Sequence, residues 1–235
     1  MKLTKPSLLG VGVYTIPEAA RLTGVPAQTI RRWLRGYEYE WAGKAGHSAP
    51  VWRAQITDLA KNGLLTFLDM MEVRFVDEFR KRGFSLQTIR RVCDRARELL
   101  DTDYPFSTQR FTTAGHSIFL KEIDPINEIH LLDLMKSEYA FQEILRPLLE
   151  DVRFENDSTV AWWPMHPDRR VIIDPRRSLG RPIVAEEGIP TATLHDSYLA
   201  EGNSIDAVVH WYEVSVNSVK AAVKYEESLN RKLAA

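Results

Sequence analysis

The sequence predicts a mainly α fold with short β elements, in three consecutive parts. Apolar residues recur at spacings of three and four over most of the chain, the period of helices with one buried face. Short alternating runs such as Tyr37-Glu38-Tyr39-Glu40-Trp41 have the two-residue period of strands. Cap and turn residues (Thr15, Gly24, Ser85, Ser204, Ser215) interrupt the pattern too often for long helices or a large sheet. The predicted parts are residues 1–100, with paired short helices and a hairpin; 101–158, a central β-hairpin plus helix; and 159–235, a trihelical unit.

Bulk properties narrow the classes. A chain of 235 residues can bury a real core. The single cysteine, Cys93, excludes a disulfide framework and a thiolate zinc site. The basic start Met1-Lys2-Leu3-Thr4-Lys5-Pro6 is not followed by an apolar stretch, so no signal peptide is expected. No run of about 18 apolar residues predicts a membrane span, and a cytoplasmic location is expected. The net charge of −1 hides an asymmetry. Residues 1–100 hold 17 Lys and Arg against 10 Asp and Glu, whereas 101–170 hold 7 against 13 and 171–235 hold 7 against 9. A basic head on an acidic body suits an anionic partner for the head.

The first element opens at Tyr14-Thr15-Ile16-Pro17-Glu18. Thr15 can cap a helix, Pro17 fits its first turn, and Glu18 completes a capping box. Ile16, Ala19, Ala20 and Leu22 supply the buried stripe, and Gly24 permits the left-handed turn that ends it. Pro26 opens the second helix, Ala27 to Arg35, with Ile30, Trp33 and Leu34 inward. This is a helix-turn-helix. Gln28, Arg31, Arg32 and Arg35 fall on the outward face, where Arg can grip phosphate or pair with guanine and Gln can pair with adenine. Tyr37, Tyr39 and Trp41 then predict a strand, and Trp52 follows a turn containing Gly and Pro. Such a hairpin is a wing: its aromatics are expected to pack beneath it, while Lys44, His47 and Arg53 are placed for phosphate. Thr15, Gln28, Thr29, Arg31, Arg32, Arg35, Lys44 and Arg53 are the candidate DNA-binding residues.

A helix follows with Phe67, Leu68, Met71, Phe75, Val76 and Phe79 on one side, ending at Arg82-Gly83; Ser85 caps the next, from Phe84-Ser85-Leu86-Gln87 onward. The order Tyr14-Thr15-Ile16, Glu18-Ala19-Ala20, Leu22-Thr23-Gly24-Val25, then Thr29-Ile30-Arg31, then Gly83-Phe84-Ser85-Leu86 resembles the winged helix-turn-helix DNA-binding domain of MerR-type regulators, over about residues 13–100. The stretch Gly36 to Pro50 departs from that family's usual wing, and neither its long coiled coil nor its metal-binding cysteines are present.

From Asp101 to Ile123 a β-hairpin is expected, with Phe106 and Arg110-Phe111-Thr112 before a turn at Ala114-Gly115 and Ser117-Ile118-Phe119-Leu120 after it. An acidic helix from Leu131 to Val152 and a linker at Glu155 to Ser158 follow, and Trp162-Trp163-Pro164 enters the last part. There Val171-Ile172-Ile173-Asp174-Pro175 predicts a strand and turn, and Gly180 to Val184 and Gly188 to Ala192 read as extended. Three helices are expected at Leu194 to Glu201, Ile205 to Glu213 and Val216 to Leu229, with Val208, Val209, Trp211, Tyr212, Val216, Val219, Ala222 and Val223 as core. Ile173-Asp174-Pro175, Gly180-Arg181-Pro182, Gly188-Ile189-Pro190-Thr191, Gly202-Asn203-Ser204 and His210-Trp211-Tyr212 resemble a trihelical domain of unknown function found in bacterial toxin–antitoxin operons. Glu186-Glu187 depart from that family's Gly-Thr-Arg approach. Asn217, Lys220 and Lys224, outward on the last helix, read as an ordinary solvated face.

A MerR-like head joined to this tail resembles the arrangement of VapB-type antitoxins. The resemblance implies an antitoxin of a type II toxin–antitoxin system, a PIN-type ribonuclease toxin as partner, repression of the shared operon through operator DNA, and a homodimer. The alternative is a MerR-like regulator answering a small ligand at the Phe106–Phe119 hairpin. An enzyme is not expected: the six histidines lack ligand spacing, and no Walker loop, dinucleotide fingerprint or nucleophile elbow occurs. No cofactor or metal is implied.

Overall fold

Two threonines frame the first part of the molecule, because each ends a short strand and caps the helix that follows. The computed structural model describes residues 10–41, 43–123 and 138–234. β1 (Val13–Thr15) leads into α1 (Ile16–Thr23), where Thr15 Oγ1 accepts from Glu18 N at 3.2 Å and the Glu18 carboxylate accepts from Thr15 N at 2.7 Å. Gly24 ends α1 with φ 80°, and α2 (Ala27–Arg35) follows. β2 (Tyr37–Trp41) and β3 (Lys44–Ser48) form the antiparallel hairpin. After α3 (Thr57–Lys61), β4 (Leu64–Thr66) pairs with β1 and repeats the device: Thr66 and Asp69 make the capping box of α4 (Phe67–Lys81). Ser85 then caps α5 (Leu86–Leu100), as its hydroxyl accepts from Thr88 N at 3.1 Å.

α4 is the axis of this unit. It buries Phe67, Met70, Met71, Val73, Phe75, Val76 and Phe79, far more than one face. Asp69 and Glu72 are buried with them. Asp69 is satisfied by Trp52 Nε1 at 3.0 Å, Gln55 N at 3.2 Å and Thr66, which ties the chain after the hairpin to α4. Glu72 Oε1 accepts from Ser107 N at 3.0 Å and Ser107 Oγ at 2.8 Å.

The central part corrects the expected β-hairpin. Pro105–Ser107 is a 3₁₀ turn, and Phe111–Glu122 is a helix, α6. Its β-branched and aromatic residues suggested strands, but Phe111, Gly115, Ile118 and Phe119 make a helical stripe, and burial overrides propensity. Gly115 is a close-packing position: a Cβ there would sit 2.7 Å from the Phe141 ring. Phe79, Phe84, Phe106, Phe111, Phe119 and Phe141 form one aromatic cluster, with Phe79–Phe119 centroids 4.6 Å apart and Phe106–Phe111 4.9 Å apart. These rings fill the region where the alternative reading placed a small ligand. Of the acidic helix, α7 spans Glu138–Leu149, and residues 131–137 lie outside the described residues. The expected linker at Glu155 to Ser158 is instead the turn between paired strands β5 (Val152–Glu155) and β6 (Ser158–Trp162), with Asn156 and Asp157 at φ 48° and 68°.

The chain divides into two compact units, residues 14–159 and residues 160–234 with 10–13, so the described residues of 101–158 fold together with those of 14–100. In the second unit β7 (Val171–Ile172) pairs antiparallel with β8 (Ile183–Val184). Three helices follow: α8 (Thr191–Ala200), α9 (Ile205–Tyr212) and α10 (Val216–Ala234). α8 starts three residues before the expected Leu194. Val184, Leu194, Val208, Val214, Val219 and Ala222 are its core, with Val209, Tyr212 and Val223 packed against them. Trp211 and Val216, expected in that core, are 66% and 40% exposed. Glu187 does specific work in the Glu186-Glu187 loop, accepting from Ser215 N at 3.0 Å and Ser218 Oγ at 2.8 Å at the start of α10. Among the described residues no helix is long and apolar enough to cross a membrane.

Candidate nucleic-acid interface

α2 is fixed from beneath by Ile30, Trp33 and Leu34, which are 0%, 5% and 3% exposed. Burial of such side chains contributes about 1.5–3 kcal/mol each, enough to set the roll of a nine-residue helix. Fixing that face fixes the other: Gln28, Arg31 and Arg32 are exposed and Thr29 is half-buried. The Arg32 guanidinium lies over the Tyr37 ring at 5.2 Å, a cation–π contact that orients it beside the wing.

Arg35 has the same spacing and is exposed too, but its guanidinium is engaged. Its Nε donates to Ala60 O at 2.8 Å and its Nη2 to Lys61 O at 2.6 Å, so it closes the carbonyl end of α3. Thr15 is occupied by the capping box of α1. Arg53 reaches Asp103 at 3.4 Å, with its side chain 67% exposed.

Gly36 bends the chain into the wing at φ 74°, and a Cβ there would lie 2.4 Å from Ser48 O. The register pairs Tyr37 with Ser48, Glu38 with His47, Tyr39 with Gly46 and Trp41 with Lys44. Cross-strand partners share a face, so Lys44 lies with the aromatic row and Glu38, Glu40 and His47 lie on the other. Glu38 and His47 pair at 2.7 Å. The aromatics divide: Trp52 is buried, Tyr37 half-buried and Tyr39 49% exposed across Gly46. Arg90 Nη2 donates to Ser48 Oγ at 2.8 Å and anchors the base of the wing to α5. Sequence reasoning missed that anchor, since 42 residues separate the partners. The wing thus brings Lys44 into the same hairpin as the Tyr37 ring that orients Arg32, while Arg35 and Arg53 turn to protein acceptors.

Comparison with known proteins follows this division. Residues 12–93 match the family described as "Putative DNA-binding HTH domain", and residues 171–225 match "Protein of unknown function (DUF433)". A curated relative, "Putative antitoxin VapB45" of Mycobacterium tuberculosis, is 26% identical over 224 residues, which cover 91% of this chain and 93% of that one. The crystal structure of Rv2018 from Mycobacterium tuberculosis has the same fold, with a TM-score of 0.69 at 23% identity over 92% of this chain and 99% of that chain.

Proposed function

We propose that this chain is the antitoxin of a type II toxin–antitoxin pair, which represses its own operon by binding operator DNA and neutralises a PIN-type ribonuclease by direct contact. It acts in the cytoplasm as a homodimer. The observation that carries the DNA half is the clear outer face of α2, with Gln28, Arg31 and Arg32 exposed over a locked apolar underside. The antitoxin half is supported by the relative named as an antitoxin, which matches over both domains.

In this reading α2 enters the major groove, where Arg31 pairs with a guanine edge and Gln28 with adenine, while Arg32, Thr29 and Lys44 meet phosphate. Thr15 and Arg35 hold the two helices in place, and Arg53 joins the phosphate contacts by leaving Asp103. The test is a gel-shift titration on the chain's own promoter. Arg31→Ala lowers affinity by about 1–3 kcal/mol, or roughly 5- to 150-fold, and relaxes preference at one base pair. Unchanged binding of a Gln28→Ala, Arg31→Ala, Arg32→Ala triple variant rejects the face. Inhibition of the ribonuclease encoded beside the chain tests the second half.

A further inference from the structure

The C-terminal unit carries two exposed features that DNA binding leaves unused. The first is a groove of about 410 Å³ at the ends of α8 and α9, lined by Ser197, Ala200, Glu201, Trp211 and Tyr212. Trp211 is 66% exposed, and Leu199, on the last turn of α8, is 55% exposed. The Ser197 and Tyr212 hydroxyls bond at 2.9 Å, so the groove is built from side chains that hold each other. One carboxylate, Glu201, lines it, and Glu213 follows Tyr212 directly in the chain. The carbonyl end of α8 adds its partial negative charge.

The second feature is the loop Arg176 to Arg181. Ser178 and Leu179 both take left-handed backbone, at φ 46° and 57°, and Leu179 is 70% exposed at the tip. A leucine rarely adopts that backbone, and here it presents an apolar side chain to solvent among arginines. Arg176 is held by Asp174 at 3.2 Å and Arg177 by Ala185 O at 3.0 Å, while Arg181 is exposed. The loop is therefore a leucine flanked by cations, and the groove sets a tryptophan beside the Glu201 carboxylate.

We infer that Leu179 and Arg181 of one chain seat in the Trp211–Glu201 groove of a second copy, reciprocally, and that this exchange is the dimer contact. Leu179 and Trp211 are both uncovered in the single chain, so the loop has not met the groove within one molecule. A guanidinium stacks on an indole face while pairing with a carboxylate, and a desolvated tryptophan is a typical energetic centre of an interface. Reciprocal exchange closes under a two-fold axis and uses each patch twice, whereas one-way engagement would grow an open chain. The inference rests on the homodimer of the proposed function and names its surface.

Light scattering after size exclusion, on the full chain at high and low concentration, tests it. Wild type elutes at twice the 27.0 kDa of one chain. Leu179→Asn, which suits left-handed backbone, and Trp211→Ser each fall to the single-chain mass with unchanged circular dichroism. Mixing these two variants gives a dimer weaker than wild type but stronger than either variant alone, because one of the two reciprocal contacts is intact, its loop from the Trp211→Ser chain and its groove from the Leu179→Asn chain. Arg181→Glu and Glu201→Arg are each monomeric, and the charge-swapped double variant regains the dimer. A dimer that persists in Leu179→Asn and Trp211→Ser overturns the inference while leaving the homodimer of the proposed function intact. A wild type that is monomeric throughout overturns both, with operator binding judged separately by gel shift. A monomeric wild type whose ribonuclease binding is lost in Trp211→Ser overturns it in favour of a partner-protein groove. Masses that grow beyond the dimer overturn the reciprocity.

Discussion

Replacing Glu72 with glutamine removes a pH-dependent strain from the centre of the first unit. The carboxyl lies on α4 with 0% exposure, its Oε1 bonded to Ser107 and its Oε2 without a hydrogen-bond partner among the described residues. Burial is the largest influence and raises its pKa; the Ser107 bonds lower it, Asp69 raises it and Arg97 lowers it, leaving it pushed up to about 8 from 4.5. The folded state therefore keeps a proton between those values that the unfolded state has released. Stability falls by about 1.4 kcal/mol per pH unit across that window, a loss of about 4 kcal/mol by the slightly alkaline end. The stabilising side is the acid side, where Glu72 is neutral in both states. Glutamine is neutral at every pH and offers Ser107 the same acceptor. Urea unfolding followed by tryptophan fluorescence from pH 5 to 9 reads the difference directly. The two proteins are of similar stability at pH 5, and the variant is more stable by about 4 kcal/mol at pH 9. A gap that is the same at both pH values refutes the reasoning, because the carboxyl would then be ionised alike in both states.

Three further outcomes can be checked. Arg35→Ala removes both bonds to the α3 carbonyls and lowers stability by about 1–3 kcal/mol in denaturant titration; operator affinity measured well below the melting temperature stays within about twofold. Glu187→Ala removes the acceptor at the start of α10. Burial pulls the Glu187 pKa up, but the bonds from Ser215 and Ser218 prevail and hold it below its ordinary 4.5. Its contribution, about 1 kcal/mol, is therefore present above pH 4.5 and is lost as pH falls through the folded value, so melting curves of wild type and variant converge in acid. Operator affinity plotted against salt has a slope near −5 for a dimer placing Arg32, Lys44 and Arg53 of each chain on phosphates, and Lys44→Ala makes it shallower by about 2. A slope shallower than about −1 removes the phosphate contacts from the account.

Much of the head was legible because its signals are local. Thr15 and Glu18 are three residues apart, Gly24 ends the same helix, and Ile30, Trp33 and Leu34 lie within two turns, so caps and stripe could be read in one window. Exposure of Gln28, Arg31 and Arg32 follows from that stripe. The fate of Arg35 does not, because its acceptors lie about 25 residues further along the chain. Periodicity says which side is outward and cannot say what neighbour waits there. The same limit explains α6. Phe111, Ile118 and Phe119 have strand propensity, and only the Phe141 ring above Gly115 reveals that the glycine serves packing. Trp211 failed in the opposite direction: a tryptophan at helical spacing reads as core, yet α9 turns it to solvent.

Charge pairing explains how a chain of net −1 presents a cationic head. On α4 and α5, Lys81 meets Asp77 at 2.6 Å, Arg82 meets Glu78 at 2.9 Å, Arg97 meets Asp94 at 3.0 Å and Arg95 meets Glu98 at 3.1 Å. Exposed pairs of this kind add little to stability, but each cancels a cation's field at a distance. Among the described residues Arg31 and Arg32 meet no carboxylate, so α2 keeps their charge uncancelled. The wing sorts its own charges by register. Tyr39 crosses Gly46, where a Cβ would lie 2.6 Å from the ring, so a bulkier residue cannot enter and the pairing is pinned. A slip by one residue would turn Glu38 and Glu40 to the face that carries Lys44, setting two carboxylates beside that cation. A glycine that touches no ligand thereby decides the sign of the charge the wing offers.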